Sequence, residues 1–394
     1  MAPKSIYRRI SGELTDLENS DALRTVPQVE NGADKILLFH NIPLLNLASN
    51  DYLGLAGNSM LKAEAVKAVE EYGCGAAASR LVTGNFSLYD KLEKELADFH
   101  GREDSMLFSS GYAANLAIMD AFADRNSLVF SDKLNHASIL DGIRMSGAKQ
   151  VRYKHNDLDH LEKRLEAFSG VESKILITDT IFSMDGDLAR MERIADLCDR
   201  HDVMLVVDEA HAEGVFGSGR GFCREAGVAD RVDLHMGAFS KAFGSLGGAV
   251  SGSSELISYL RNKGRSFVFS TALPPAVIGA SLAALLLVRS DPSRGEKLLA
   301  MSRELKGYLE SLGFNCGDSQ SQIIPVILGE NALALKAQQL LREQGLYVAA
   351  IRPPTVPPGT ARLRISLRAD LTDSDLEMVR SAFGQLHKEL SAWK

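Results

Sequence analysis

Val203-Met-Leu-Val-Val-Asp-Glu-Ala-His211 is an unbroken apolar run that ends abruptly in charge. Nothing polar alternates within 203–207, so a strand here is buried on both faces. Strands of that kind belong to parallel sheets covered by helices on each side. Outward from it, Lys174-Ile-Leu-Ile-Thr178, Leu128-Val-Phe130 and Ser105-Met-Leu-Phe108 read as further strands. The 3.6-residue period predicts helices over 86–99, with Leu88, Leu92, Leu96 and Phe99 on one stripe, and over 111–122, 136–145 and 194–201. Alternating strands and helices predict an α/β fold with a mostly parallel sheet. Such sheets bind ligands beyond the carboxyl ends of their strands. Asp208, Ser131-Asp132, Thr178-Asp179 and Ser109-Ser110-Gly111 all fall there.

After Asp291-Pro292 the pattern changes. A helix over 296–312 is stopped by Gly313, and one over 332–344 by Gly345. Strands are predicted over 322–328 and 347–351. Arg362-Leu-Arg-Ile-Ser-Leu367 alternates as a half-exposed strand does. Thr372-Asp-Ser-Asp375 caps a last helix whose stripe is Leu376, Val379, Phe383, Leu386 and Leu390. The chain therefore divides into an N-terminal segment (1–45), a large domain (46–290) and a small C-terminal α+β domain (291–394), consistent with a length of 394 residues.

Composition narrows the class. A net charge of −7 argues against a nucleic-acid partner. The four cysteines lack the short spacings of a zinc site or disulfide framework, and no metal is expected. Segment 272–288 is apolar but short for a membrane span and opens at Pro274-Pro275, so it reads as a core helix. With no signal-peptide stretch at Met1, the expectation is a cytoplasmic enzyme without a membrane partner.

The chemistry lies in a few residues. Lys241, in His235-Met-Gly-Ala-Phe-Ser-Lys-Ala-Phe-Gly-Ser-Leu-Gly-Gly248, reads alone as a solvated side chain or as a nucleophile beside a cofactor. Asp208-Glu-Ala-His211 matches a helicase box, but no phosphate-binding G-x-x-x-x-G-K-[ST] loop accompanies it. Nor does a second His/carboxylate pair make it a metal site. It remains a strand-end cap or a partner for an aromatic cofactor, Asp208 at a ring nitrogen and His211 at a ring hydroxyl. Ser109-Ser-Gly-Tyr-Ala-Ala-Asn115 reads as an anion site at a helix start or as an ordinary cap. His136 reads as a cap, a core residue or a cover over a flat ring. Arg352, before two prolines, suits bidentate capture of a carboxylate. Arg261, Lys263 and Arg265 read as a solvent-facing cluster. One cofactor uses the whole set: pyridoxal 5'-phosphate (PLP) needs a Schiff-base lysine, an acid at the pyridine nitrogen, a ring cover, a phosphate cradle and a carboxylate clamp.

These motifs, with Ser49-Asn-Asp-Tyr-Leu-Gly-Leu55, Ser79-Arg-Leu-Val-Thr-Gly-Asn85, Phe182-Ser-Met-Asp-Gly-Asp187 and Phe269-Ser-Thr-Ala-Leu-Pro-Pro275, give nearly the whole chain a resemblance to the α-oxoamine synthases, which are fold-type I PLP-dependent transferases. Ala350-Ile-Arg-Pro-Pro-Thr-Val-Pro357 is similar to the branch that condenses L-alanine with a pimeloyl thioester in biotin biosynthesis. The donor in that branch is pimeloyl-CoA or pimeloyl-carrier protein. The resemblance implies that Lys241 carries the cofactor, Asp208 pairs the pyridinium and His136 stacks on the ring. It further implies that Ser183 and His211 meet the ring oxygen, that Gly111, Tyr112 and Ser240 belong to the cradle, and that Ser270 and Thr271 reach a neighbouring subunit's phosphate in a homodimer with shared sites. Asn50 and Arg352 would hold the amino-acid carboxylate, and Arg24, His136 and Thr355 would contact substrate. Another branch, using glycine or serine with a different acyl thioester, is the alternative. Two departures stand out. Ala238 replaces the family's usual threonine three residues before the lysine, and Glu213 puts a carboxylate where a site-proximal small or neutral residue is usual.

Overall fold

The computed structural model describes residues 4–391. They form two compact units. The smaller combines the chain up to Ser49 with Met184–Gly186 and the chain from Met301. The larger comprises Asn50–Ser183 and Asp187–Ala300. The smaller unit opens with a helix at Ser5–Asn19 and a hairpin, β1 (Ile36–Phe39) and β2 (Ile42–Asn46).

The larger unit holds a seven-stranded sheet: β3 (Asp104–Phe108), β4 (Leu128–Asp132), β5 (Lys149–Tyr153), β6 (Lys174–Asp179), β7 (Met204–Asp208), β8 (Leu234–Ala238) and β9 (Gly248–Gly252). Their spatial order is β3-β9-β8-β7-β6-β4-β5, with β9 antiparallel to both neighbours and the other pairings parallel. The continuous apolar strands are explained by two separate cores. Leu128, Phe130, Leu176, Leu205 and Val207 pack on one face, against the helices Leu158–Ala167 and Met191–His201. Val129, Ile175, Ile177 and Val206 pack on the other, against Gly111–Phe122 and Ala137–Ser146. Each fully buried leucine or valine contributes about 1.5–3 kcal/mol. The apolar segment forms Pro275–Ser290, a largely buried helix with proline in its first turn, where no N–H is missed. Among the described residues no single helix is long and apolar enough to cross a membrane.

The smaller unit continues with β10 (Ile323–Gly329), β11 (Leu346–Tyr347), β12 (Ala349–Ile351) and β13 (Ala361–Ser366). Two expectations are corrected here. The strand predicted over 347–351 is broken: β11 pairs in parallel with β2, whereas β12 joins β13 and β10 in a separate antiparallel sheet. The alternating strand is not half-exposed, because every residue of β13 is buried. Its arginines are buried with partners. Arg362 donates to Asp185 Oδ1 at 2.6 Å and to the carbonyl of Met184, and Arg364 donates to Ser366 Oγ. Period-2 polarity therefore marked paired charges rather than solvent. The last helix, Asp373–Ser391, starts as read: the amide of Asp375 donates to Thr372 Oγ1 and the amide of Thr372 to the Asp375 carboxylate.

Candidate active site

Beyond the carboxyl ends of β6, β7 and β8 lies a cavity of about 220 Å³ within the larger unit. Gly111, Tyr112, His136, Asp208, His211, Ser240 and Lys241 all line it. Each is positioned by an element's end. Asp208 is the last residue of β7, in register with Asp179 of β6 and Met236 of β8. Lys241 follows β8 by three residues. Gly111 begins a helix capped by Ser110, whose Oγ accepts from the amide of Ala113 at 3.1 Å. His136 caps the helix Ala137–Ser146.

The Asp208 carboxylate is fixed at both oxygens. Oδ2 accepts from Asn115 Nδ2 at 2.8 Å, and Oδ1 from the amide of Ala210 at 3.0 Å. Asn115 also donates to Ser138 Oγ at 2.9 Å, and Ser138 Oγ lies 2.7 Å from His136 Nδ1, so Asn115 and Ser138 in series tie the acid to the histidine. Burial pushes His136 below its ordinary value and the Lys241 charge adds to this, against the pull of Asp208; the ring is held neutral at pH 7. Beside it Asp179 is fully buried and accepts the amide of His136 at 2.8 Å. Burial, then the Asp208 charge, pushes its carboxyl well above the usual carboxylate range. Two carboxyls thus stand on adjacent strand ends: Asp208 is pinned by two donors, and burial disfavours the charged form of Asp179.

The family description "Aminotransferase class I and II" matches residues 42–383. The chain belongs to this aminotransferase family. A Bacillus cereus (strain Q1) protein provisionally named 8-amino-7-oxononanoate synthase is 42% identical over 381 residues, covering 96% of this chain and 97% of its own. The fold is that of serine palmitoyltransferase from S. paucimobilis solved with a bound PLP–myriocin aldimine, at TM-score 0.92, 29% identity and coverage of 98% of this chain and 99% of that one. It is also that of 8-amino-7-oxononanoate synthase from Francisella tularensis, at TM-score 0.76, 27% identity and coverage of 89% and 98%. This is the fold-type I architecture of PLP-dependent transferases expected from the sequence.

The donor set fits PLP. A fixed carboxylate, a lysine, a neutral histidine ring and a capped helix start share one cavity, and Asn115 Oδ1, on a cavity-lining residue, is buried without a hydrogen-bond partner. Ala238 lines the cavity too and presents a methyl group where the resemblance implied a threonine hydroxyl, and Ser240 is also on the lining.

Other expected residues lie elsewhere. Asn50 Oδ1 accepts from Tyr52 Oη at 3.2 Å, and Tyr52 Oη lies 2.6 Å from His211 Nδ1, which links Asn50 to the cavity through one phenol. Ser183, half-buried past β6, does not line the cavity. Ser270 and Thr271 line a second, small cavity with Ser109 and Arg80. Arg24, Arg352 and Thr355 line a cavity of the smaller unit, where Arg24 donates to Thr355 Oγ1 at 2.9 Å and Arg352 to the carbonyl of Asp21. Glu213 is a correction: it is not on the active-site wall. It is buried with its Oε1 3.1 Å from His100 Nε2, in space left by Gly237, where a Cβ would overlap its carboxylate. The reading missed Asn115, Ser138 and Tyr52 as site residues. Asn115 ended a quoted motif, and its four-residue offset from Gly111 places it one helical turn inside the helix, the signal that was available.

Proposed function

We propose that this enzyme condenses L-alanine with a pimeloyl thioester to give 8-amino-7-oxononanoate, carbon dioxide and free thiol. The observation that carries it is one cavity holding Lys241, Asp208 and a neutral His136 past the carboxyl ends of β8, β7 and β4, in a chain 42% identical to a protein provisionally named for that product. The cofactor is PLP, which when bound supplies an aldehyde for the amino acid and a protonated ring that takes up electrons from its Cα. Lys241 would hold the cofactor through its Nζ, and the same amine would serve as the base for the Cα proton. Asp208, held by Asn115 and the Ala210 amide, stabilises the proton on the ring nitrogen. His136 would cover the ring without adding charge, and His211 on the cavity wall, with Ser183 beyond it, would serve the ring oxygen. Gly111, Tyr112 and Ser240 cradle the cofactor. Asn50 and Arg352 would hold the amino-acid carboxylate and so select which Cα bond breaks; positioning of this kind lowers a barrier by about several kcal/mol. Arg24 and Thr355 contact substrate. Ser270 and Thr271 serve the phosphate of the neighbouring subunit in a homodimer.

A second reading, condensation of glycine or serine with another acyl thioester, is favoured by the 0.92 TM-score to serine palmitoyltransferase. Mass spectrometry separates the two. PLP-loaded protein is offered alanine, glycine or serine, each with pimeloyl or palmitoyl thioester. Product of mass matching 8-amino-7-oxononanoate only from alanine with the pimeloyl donor is expected. A preferred serine or glycine product overturns the first reading and keeps the chemistry.

A further inference from the structure

The cavity of the smaller unit encloses about 590 Å³ and is lined by three guanidinium groups, Arg24, Arg342 and Arg352. Among the described residues no carboxylate lies within ion-pair distance of any of them. The carboxylates on the lining are Glu18 and Asp21. Arg24 and Arg352 have neutral partners, a hydroxyl and a carbonyl. Arg342 differs. It sits on the helix Asn331–Glu343, with its guanidinium carbon 4.6 Å from the Phe39 ring centroid and 5.7 Å from that of Tyr347. Its Nε is buried with no hydrogen-bond partner. Arg342 lies outside every motif that carries the family resemblance.

We propose that this cavity binds the free carboxylate at the far end of a dicarboxylic acyl chain, and that Arg342, clamped by Phe39 and Tyr347, is the residue that recognises it. The inference rests on the reading above, in which the acyl donor ends in a carboxylate. Rings packed on a guanidinium fix its plane and leave its edge donors for an anion, and a planar fork matches a carboxylate at two points. With Arg352 assigned to the amino-acid carboxylate and Arg24 hydrogen-bonded to Thr355, Arg342 is the guanidinium on this lining left for a second carboxylate. Leu23, Leu335 and Ile351 supply the apolar wall that methylene groups need.

The probes are S-pimeloyl- and S-heptanoyl-N-acetylcysteamine, which share a thioester and chain but differ in the terminal carboxylate. Calorimetric titration of PLP-loaded protein without amino acid gives both affinities. A bidentate charge-assisted contact is expected to favour the pimeloyl probe by roughly 10- to 100-fold. Arg342→Gln should erase that preference and leave the heptanoyl affinity unchanged. Arg342→Lys, which keeps the charge and loses the fork, should retain only part of it. Circular dichroism checks that both variants fold. An undiminished preference in Arg342→Gln overturns the inference. So does displacement of the pimeloyl probe by inorganic phosphate at comparable concentration, which would mark a phosphate site. If the preference survives in Arg342→Gln while the wild-type enzyme makes 8-amino-7-oxononanoate, the carboxylate assignment alone fails. If the wild type shows no preference and forms product only from another donor, the proposed function fails with it.

Discussion

Asp208 owes its part in the site to its neighbours as much as to its own charge. Its carboxylate is held by Asn115, and Asn115 by Ser138. Asn115→Ala removes a donor to a buried carboxylate, so PLP affinity of the apoprotein should fall roughly 10-fold or more; quenching of protein fluorescence on titration with PLP measures it, and wild-type affinity would refute the role. Lys241→Ala should leave no borohydride-reducible adduct with PLP and no turnover, which intact-mass spectrometry and the product assay test together. A third residue is a stability element. His155 bridges Asp132 at 2.9 Å and Asp187 at 2.8 Å. Burial alone would lower its pKa, but hydrogen bonds and charge from the two aspartates outweigh it and raise the pKa to about 10. A raised histidine pKa stabilises fully below the unfolded value, near 6.5, and the contribution fades as pH rises through about 10. His155→Gln should therefore cost about 2 kcal/mol in urea unfolding at pH 6 and much less at pH 10.5. An equal loss at both pH values would rule out the ion-pair account.

At the scale of elements, what the sequence disclosed depended on how each strand met its surroundings. β4, β6 and β7 were legible because burial on both faces leaves an unmixed apolar signature. β13 was misread because paired arginines imitate solvent-facing ones. β9, Gly-Ala-Val-Ser-Gly, has no period to read. Its composition answers a close approach of two backbones: a Cβ on Gly248 would come within 2.5 Å of the Ser110 carbonyl and 2.6 Å of the Gly111 amide. Gly248→Ala should push apart β9 and the helix start that bears Gly111, at a cost of about 1–3 kcal/mol. Urea unfolding would show the loss, and a weaker PLP affinity should accompany it; neutral effects on both would mean the turn can yield. The site residues follow the same logic. Asp208, Lys241 and His136 stood at recognisable boundaries, whereas Asn115 lay inside a helix, where only the fold reveals which face it presents.

At the scale of the molecule, the proposed homodimer with shared sites predicts complementation. Lys241→Ala protein is expected to be inactive, and Ser270→Ala/Thr271→Ala protein weakened. Subunits exchanged between them should regain about a quarter of wild-type activity, since half the dimers would carry one complete site. Light scattering reports the dimer, and no recovery in verified mixed dimers would place both hydroxyls in their own subunit's chemistry. The order of the central sheet also bears on how the protein is made. β3 leaves the ribosome well before β9, yet β9 separates it from β8, so β3 pairs with nothing until residues 248–252 emerge. Through some 140 residues of synthesis, at a pace of roughly 5–20 residues per second, the nascent chain displays an open strand edge. Chains arrested before Gly248 are accordingly natural clients for chaperones and seeds for insoluble deposits.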